Sequence, residues 1–183
     1  KLFFGAQPVL SLLGTGCTTG AIIESGGQIT QTCVVKEGYS LPDTFFREDY
    51  GGENVTETLQ NLLFQKGISF YNNSGYKTVK TIKEKYCYTK YYKGNEEDDD
   101  EDDIFDLPDG SCVVIKDEKK ECTNILFDPK LYGLNHNSMQ KMIYDSINNI
   151  NLESKIKLFG QIILSGGNTC MKGMPESIHK DLK

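Results

Sequence analysis

Ala21-Ile22-Ile23-Glu24-Ser25-Gly26-Gly27-Gln28-Ile29-Thr30-Gln31-Thr32-Cys33-Val34-Val35 is the stretch on which the fold turns. Its first three residues form an apolar run long enough for a buried strand. Ser25, Gly26 and Gly27 break that run, and a β-branched pattern resumes from Ile29 to Val35, so a hairpin is predicted. Glycines carry no Cβ, so a Ser-Gly-Gly turn lets backbone N–H groups close on a phosphate. Glu24 stands on the shoulder of the turn, where a carboxylate can hold a magnesium ion or its waters. A plain hairpin with a glycine turn would read the same way. What favours a ligand is a second turn of this kind far downstream, Leu164-Ser165-Gly166-Gly167-Asn168-Thr169.

Upstream of the hairpin, residues 7–13 are predicted to be a short helix, with Pro8 tolerated in its first turn. Downstream, Glu37-Gly38-Tyr39-Ser40-Leu41-Pro42 reads as a turn-rich connection. A second unit begins near Gly51-Gly52. Asn54 is expected to cap a helix with Glu57 as its capping-box partner, and Val55, Leu59, Leu62 and Leu63 recur at helical spacing up to Gly67. Residues 76–88 read as another helix. Val79, Ile82, Tyr86 and Cys87 form its apolar face, while Lys77, Lys80, Lys83 and Lys85 form a solvated face, unless one or two of them reach a nucleotide. Then come a turn at Leu107-Pro108-Asp109-Gly110, a strand over 112–115, a loop over 117–120 and a partner segment over 122–127. Helices over 138–147 and 152–159 and a buried strand over 161–164 follow, and Pro175 opens a last helix ending at Leu182. A strand that ends in Ser-Gly-Gly before a helix is where α/β folds place ligands. No Gly-Lys-Ser/Thr follows it, and its glycines do not fit the dinucleotide spacing.

The chain has 183 residues and a net charge of −6. Glu96 opens a run of eight acidic residues that ends at Asp103; without it, 18 acidic and 20 basic residues leave +2. The run reads as a solvated loop, or as a docking segment for a basic partner such as a histone tail. Its acidity therefore says little about the folded body. No apolar run approaches the length of a membrane span, and no signal peptide is visible. The first residue is not Met, and the chain is expected to be a fragment of a longer protein. Six cysteines with no Cys-x-x-Cys pair, and two histidines, argue against structural zinc. They are expected to be reduced, buried thiols of an intracellular protein.

Taken together, several segments resemble the actin and actin-related protein family: Pro8-Val9-Leu10-Ser11-Leu12-Leu13 followed by Thr18-Thr19-Gly20, Glu24-Ser25-Gly26-Gly27, residues 37–42, Ile82-Lys83-Glu84-Lys85-Tyr86-Cys87-Tyr88, residues 107–110, Leu126-Phe127-Asp128-Pro129 and residues 164–169. They fall in family order over nearly the whole chain. The resemblance implies an α/β chain that is half of the actin-type ATPase fold: a ribonuclease-H-like subdomain 3 over 1–50 and 135–183, with an inserted α+β subdomain 4 over 51–134 that carries an acidic loop at 95–106. It also implies that ATP or ADP with magnesium binds in the cleft between two such halves. On that match Ser25, Gly26 and Gly27 supply phosphate-loop amides, Gly52 lies near the ribose, and Lys83 and Glu84 face the adenine and ribose. Gly166, Gly167, Asn168 and Thr169 close around the adenosine and α-phosphate. Cys170 and Met171 replace a Met-Tyr pair, which weakens stacking.

The departures from the family pattern concern hydrolysis and assembly. The family's catalytic aspartate is Glu24, whose longer arm shifts any magnesium water by roughly 1.5 Å, and errors of about 1 Å can cost ~100-fold in rate. The loop's Asp-Gly is Gly27-Gln28; if position 28 required a positive φ, Gln28 would be strained by about 1–2 kcal/mol. The water-orienting histidine is Gln31, and Gln7 retains the family's water-positioning glutamine. The family's hydrophobic plug maps to Leu131-Tyr132-Gly133-Leu134 and continues with the polar Asn135-His136-Asn137-Ser138. The expected protein is a divergent actin-related subunit of the cytoplasm, cytoskeleton or nucleus. It binds Mg-ATP, hydrolyses it weakly or with altered tuning, and associates with other actin-like or complex subunits; no membrane and no direct nucleic-acid binding are expected. A filament-forming ATPase and a nucleotide-free binding module are the alternatives. The isolated chain, lacking the opposing half, is expected to show no ATPase.

Overall fold

The computed structural model describes residue 2 and residues 4–92, 103–107 and 110–183. Of the acidic run, only Asp103 falls within the described residues; the rest, with Pro108 and Asp109 of the predicted turn, lies outside them. The elements in chain order are α1 (Gln7–Gly14), β1 (Gly20–Ser25), β2 (Thr30–Lys36), β3 (Tyr39–Ser40), β4 (Phe46–Glu48), α2 (Gly52–Gln65), α3 (Asn73–Tyr86), β5 (Asp103–Asp106), β6 (Cys112–Ile115), α4 (Glu118–Glu121), α5 (Met139–Asn148), α6 (Leu152–Phe159), β7 (Ile162–Ser165) and α7 (Met174–Asp181).

The predicted hairpin is the centre of a five-stranded sheet in the order β3-β2-β1-β7, with β4 also paired to β2. β1 runs antiparallel to β2 with Glu24 opposite Gln31, and parallel to β7 with Glu24 opposite Ser165. Alternation of side chains about the strand axis sends the two sets of β1 residues to opposite faces. Ile22 meets Leu12 and Val35 in a small core on the α1 side. Ala21 and Ile23 join Val34, Met142, Ile143 and Ile147 in the main core on the α5 side, where the Thr32 and Ser146 hydroxyls lie 2.6 Å apart. The unit built from α2, α3, α4 and the 3-10 turn Cys122–Leu126 extends this main core through Val55, Leu59, Leu63, Val79, Ile82 and Leu126.

Several expected elements differ. The connection over 37–42 contains a second hairpin: Glu37 and Gly38 both have positive φ (52° and 83°), which matches the twist of flanking strands and turns β2 back into β3. The helix expected from Asn54 starts earlier, with Gly51 as N-cap, and Asn54 is the residue that reaches back to accept from the Gly51 N–H at 2.9 Å. The helix expected over 76–88 is α3, capped by Asn72, whose side chain accepts from the Gly75 N–H. Residues 117–120, expected as loop, contribute to α4, and residues 122–127 form no strand. The partner of β6 precedes it: β5 pairs Ile104 with Val114 and Phe105 with Val113. β5 was hidden at the end of the acidic run, where Asp103 is neutralised by Lys119 at 2.8 Å. The cysteines divide as well. Cys33, Cys87 and Cys122 are buried, Cys17 is half-buried, and Cys112 and Cys170 are exposed, contrary to the expectation that all are buried.

Candidate functional site

The site is built where the C-terminal ends of β1 and β7 meet the N-terminus of α2. The first amides of a helix have no partner within it. Here the glycine turn supplies two: Gly52 N–H donates to the Gly26 carbonyl at 2.9 Å and Glu53 N–H to the Gly27 carbonyl at 2.7 Å. This approach requires a residue without Cβ at Gly51, where a Cβ would lie 2.4 Å from the Gly26 oxygen. The second glycine turn locks against the first. Gly166 has φ +92° and leaves no space for a Cβ beside the Ser25 carbonyl, 2.3 Å away. The buried Asn168 amide donates to Ser25 Oγ at 2.9 Å and to the Gly26 carbonyl at 2.7 Å. From α3, Lys83 Nζ donates to the Gly52 carbonyl at 2.9 Å. Burial holds the Lys83 ammonium below the usual lysine range.

Two cavities flank the turn and share Gly26 and Gly27 as their common wall. The carboxylate side, about 560 Å³, is lined by Gln7, Glu24, Ser25, Gly26, Gly27, Gln28, Gln31, Glu53 and Gly166. The lysine side, about 530 Å³, is lined by Gly26, Gly27, Gly52, Lys80, Lys83, Glu84, Lys85, Gly167, Asn168, Met171 and Lys172 together with Cys87 and Cys170. Of the site residues that the family resemblance implies, Thr169 alone lines neither; its hydroxyl donates to the Gly166 carbonyl at 2.7 Å and so stiffens the second turn.

Glu24 is 3% exposed and engaged through both oxygens. Ser11 Oγ donates to Oε1 at 2.5 Å, and Gln31 Nε2 donates to Oε2 at 2.6 Å. The register explains Gln31, since it sits directly across from Glu24 on β2. Helical spacing explains Ser11, four residues after Gln7 on α1. Neither Gly26 nor Gly27 has a positive φ, and neither does Gln28, so the strain considered for Gln28 does not arise. The space at Gly26 and Gly27 is open: a Cβ would find nothing closer than 3.7 Å and 3.6 Å, respectively. The Gly26 N–H is already spent on the Ile29 carbonyl at 2.9 Å, so Gly26 contributes its carbonyl, rather than its amide, to the junction.

Two glycine turns clamped by an asparagine, with a carboxylate on one side and lysines on the other, is an arrangement that can be compared with known proteins. The family model described as Actin matches residues 1–183. The chain belongs to the actin family. It is 35% identical to the protein named Centractin of Saccharomyces cerevisiae over 192 aligned residues, which cover 100% of this chain and 49% of that protein. The chain thus spans about half the length of the curated relative it matches. Its α/β architecture is accordingly that of a part of the actin-type fold.

Within this actin-family chain, sequence reasoning missed four contributors. Ser11 was legible from its spacing to Gln7. Gly51 carried only a Gly-Gly signal, because its need for a bare Cα arises from the approach of Gly26. Glu53 accepts from Gln28 Nε2 at 3.1 Å and so closes the far rim of the carboxylate side. Lys172 reaches the lysine side from beyond the second turn, a position that no local pattern marks.

Proposed function

We propose that this chain forms one wall of a nucleotide cleft in a longer, divergent actin-related protein, with a ribonuclease-H-like unit over 1–50 and 135–183 and an inserted unit over 51–134. The observation that carries this reading is the pair of cavities meeting on Gly26 and Gly27, whose bare Cα atoms leave room on both sides that their own backbone does not require. That space fits a polyphosphate and nucleoside. Mg-ATP would supply a transferable phosphoryl group, with magnesium compensating its charge. The backbone of Ser25, Gly26 and Gly27 would face the phosphates, and Gly52, Lys83 and Glu84 the sugar and base. Gly166, Gly167, Asn168 and Met171 would enclose the adenosine, with Thr169 holding their turn in shape. Lys80, Lys83, Lys85 and Lys172 bring positive charge to that side.

Hydrolysis in this reading is weak or retuned. Gln31, the residue proposed to orient water, is committed to Glu24, and Glu24 already accepts two side-chain hydrogen bonds. Gln7 is left as the remaining water-positioning side chain. A carboxylate so enclosed serves best as a fixed negative wall that holds magnesium waters at a distance. The protein then acts as a nucleotide-stabilised structural subunit among other actin-like or complex subunits, in the cytoplasm or cytoskeleton, and the acidic run Glu96 to Asp103 offers a site for a basic partner. The full-length protein, purified in magnesium, is expected to release intact ATP on denaturation. Bound ADP with continuing phosphate release would overturn the weak-hydrolysis reading in favour of a filament-type ATPase. A site empty of nucleotide, and unable to take it up, would overturn the cleft itself in favour of a binding module.

A further inference from the structure

Cys87 follows the last turn of α3, and Cys122 opens the 3-10 turn after α4. They lie 35 residues apart in sequence, yet their sulfurs are 3.4 Å apart, with the Cys122 thiol donating to Cys87. Both are buried, at 5% and 0% exposure, but their surroundings differ. Cys87 forms part of the wall of the lysine-side cavity. Cys122 stands behind it, enclosed by the main core. Of these two thiols, a small solute that enters the cavity meets Cys87 first; the exposed Cys170 stands in the same wall. Lys83, one helical turn before Cys87, is near enough for its charge to act on both thiols. Burial drives the Cys122 thiol well above the usual range, and Cys87 adds to that rise, while Lys83 opposes it. The order of reaction therefore follows access: Cys87 is the thiol an oxidant reaches, and Cys122, in contact behind it, is placed to react second.

We propose that Cys87 and Cys122 are a modification site: a hydroperoxide entering the lysine-side cavity oxidises Cys87, and Cys122 resolves it to an internal disulfide. In the first step the Cys87 sulfur attacks the peroxide and breaks its O–O bond. Cys87 becomes a sulfenic acid, the Cys87 proton passes to the departing oxygen, and an alcohol leaves, or water when the oxidant is hydrogen peroxide. In the second step the Cys122 sulfur attacks the Cys87 sulfur, the S–OH bond breaks, and hydroxide leaves with the Cys122 proton as water. One peroxide is reduced by two electrons and two thiols are oxidised by one electron each. The sulfurs must close by about 1.3 Å to reach bonding distance, which side-chain torsions at two neighbouring positions can supply. The new bond draws Cys87 toward the core and away from the cavity wall. The inference stands on the thiol pair and the cavity; a nucleotide in that cavity would shield Cys87, so the oxidation belongs to the nucleotide-free protein.

The test treats the reduced full-length protein, stripped of any nucleotide, with hydrogen peroxide near stoichiometric amounts, blocks the remaining thiols by alkylation in denaturant, and digests without reduction. The expected result is a peptide that joins Cys87 to Cys122, with the intact mass lowered by two hydrogens and restored by a reductant. In Cys122→Ala, Cys87 is expected to persist as a sulfenic acid that a dimedone-type diketone traps. In Cys87→Ala, Cys122 is expected to escape that reagent. Recovery of both Cys87 and Cys122 as alkylated thiols while the exposed Cys112 or Cys170 carries the oxidation would overturn the proposal. A bond from Cys87 to Cys170 would do the same. The cross-link in the unsubstituted protein decides the matter even if either variant folds poorly.

Discussion

At Gly51 a Cβ would lie 2.4 Å from the Gly26 carbonyl oxygen and 2.9 Å from that of Gly27. Those carbonyls are fixed by the first amides of α2, so they cannot yield without opening the junction. Gly51→Ala is therefore predicted to destabilise the protein by about 1–3 kcal/mol, as overpacking does. The change should appear as a lower urea midpoint with an unchanged slope. Gly26→Ala is the matched control: its Cβ meets only the Ile29 carbonyl at 3.7 Å, and stability should change by less than about 0.5 kcal/mol. Nucleotide uptake by Gly26→Ala should nonetheless fall, because the added methyl stands in the wall shared by the two cavities. Residue chemistry at Glu24, Gln31 and Gln7 was legible in the sequence. The steric demand at Gly51 was not, since the atom that imposes it lies 25 residues away.

Helix α3 shows what an element's own pattern can and cannot tell. Its 3.6-residue period sends Val79 and Ile82 into the core, while Lys80, Lys83, Glu84 and Lys85 line the cavity. Lys77 is exposed outside that cavity, so the lysines of one helix divide between solvent and cavity wall. The start of α3 depends on Asn72, whose side-chain Oδ1 accepts from the Gly75 N–H. Asn72→Ala is predicted to cost about 1 kcal/mol, the usual value for a lost N-cap. Thermal unfolding should detect it, and hydrogen exchange should rise first in the opening turn of α3. The hairpin of β5 and β6 escaped sequence reading for a different reason. A four-residue strand with aspartates at both ends carries too few apolar positions to compete with the charge run before it; Lys119, Tyr86 and the pairing strand make it favourable.

Across the whole molecule, distant segments are tied by contacts of high sequence separation, and Glu48 makes one such tie. At the end of β4 it accepts from the Asn137 N–H at 3.1 Å and the Asn137 side chain at 2.8 Å, and it meets His136 Nδ1 at 2.8 Å. Burial pushes the Glu48 carboxyl up, but His136 and Asn137 together outweigh it and hold the carboxyl below its ordinary value of 4.5. A depressed carboxyl contributes stability that is present above its unfolded value and lost as pH falls through its folded one. Glu48→Gln is accordingly predicted to lower stability by about 1 kcal/mol at neutral pH. The gap from the unsubstituted protein should close as the pH falls below that folded value, as urea titrations at several pH values would show. The central hairpin, the helical periods, the two glycine turns and the family were all legible in the amino-acid order, because each is written in residues that are near neighbours along the chain. Long-range packing brings the glycine turn onto the start of α2, clamps it with Asn168 and Lys83, commits Gln31 to Glu24, and sets Cys87 against Cys122. Those facts depend on which backbones approach one another, and that is set by packing two faces of one sheet against helices from both ends of the chain.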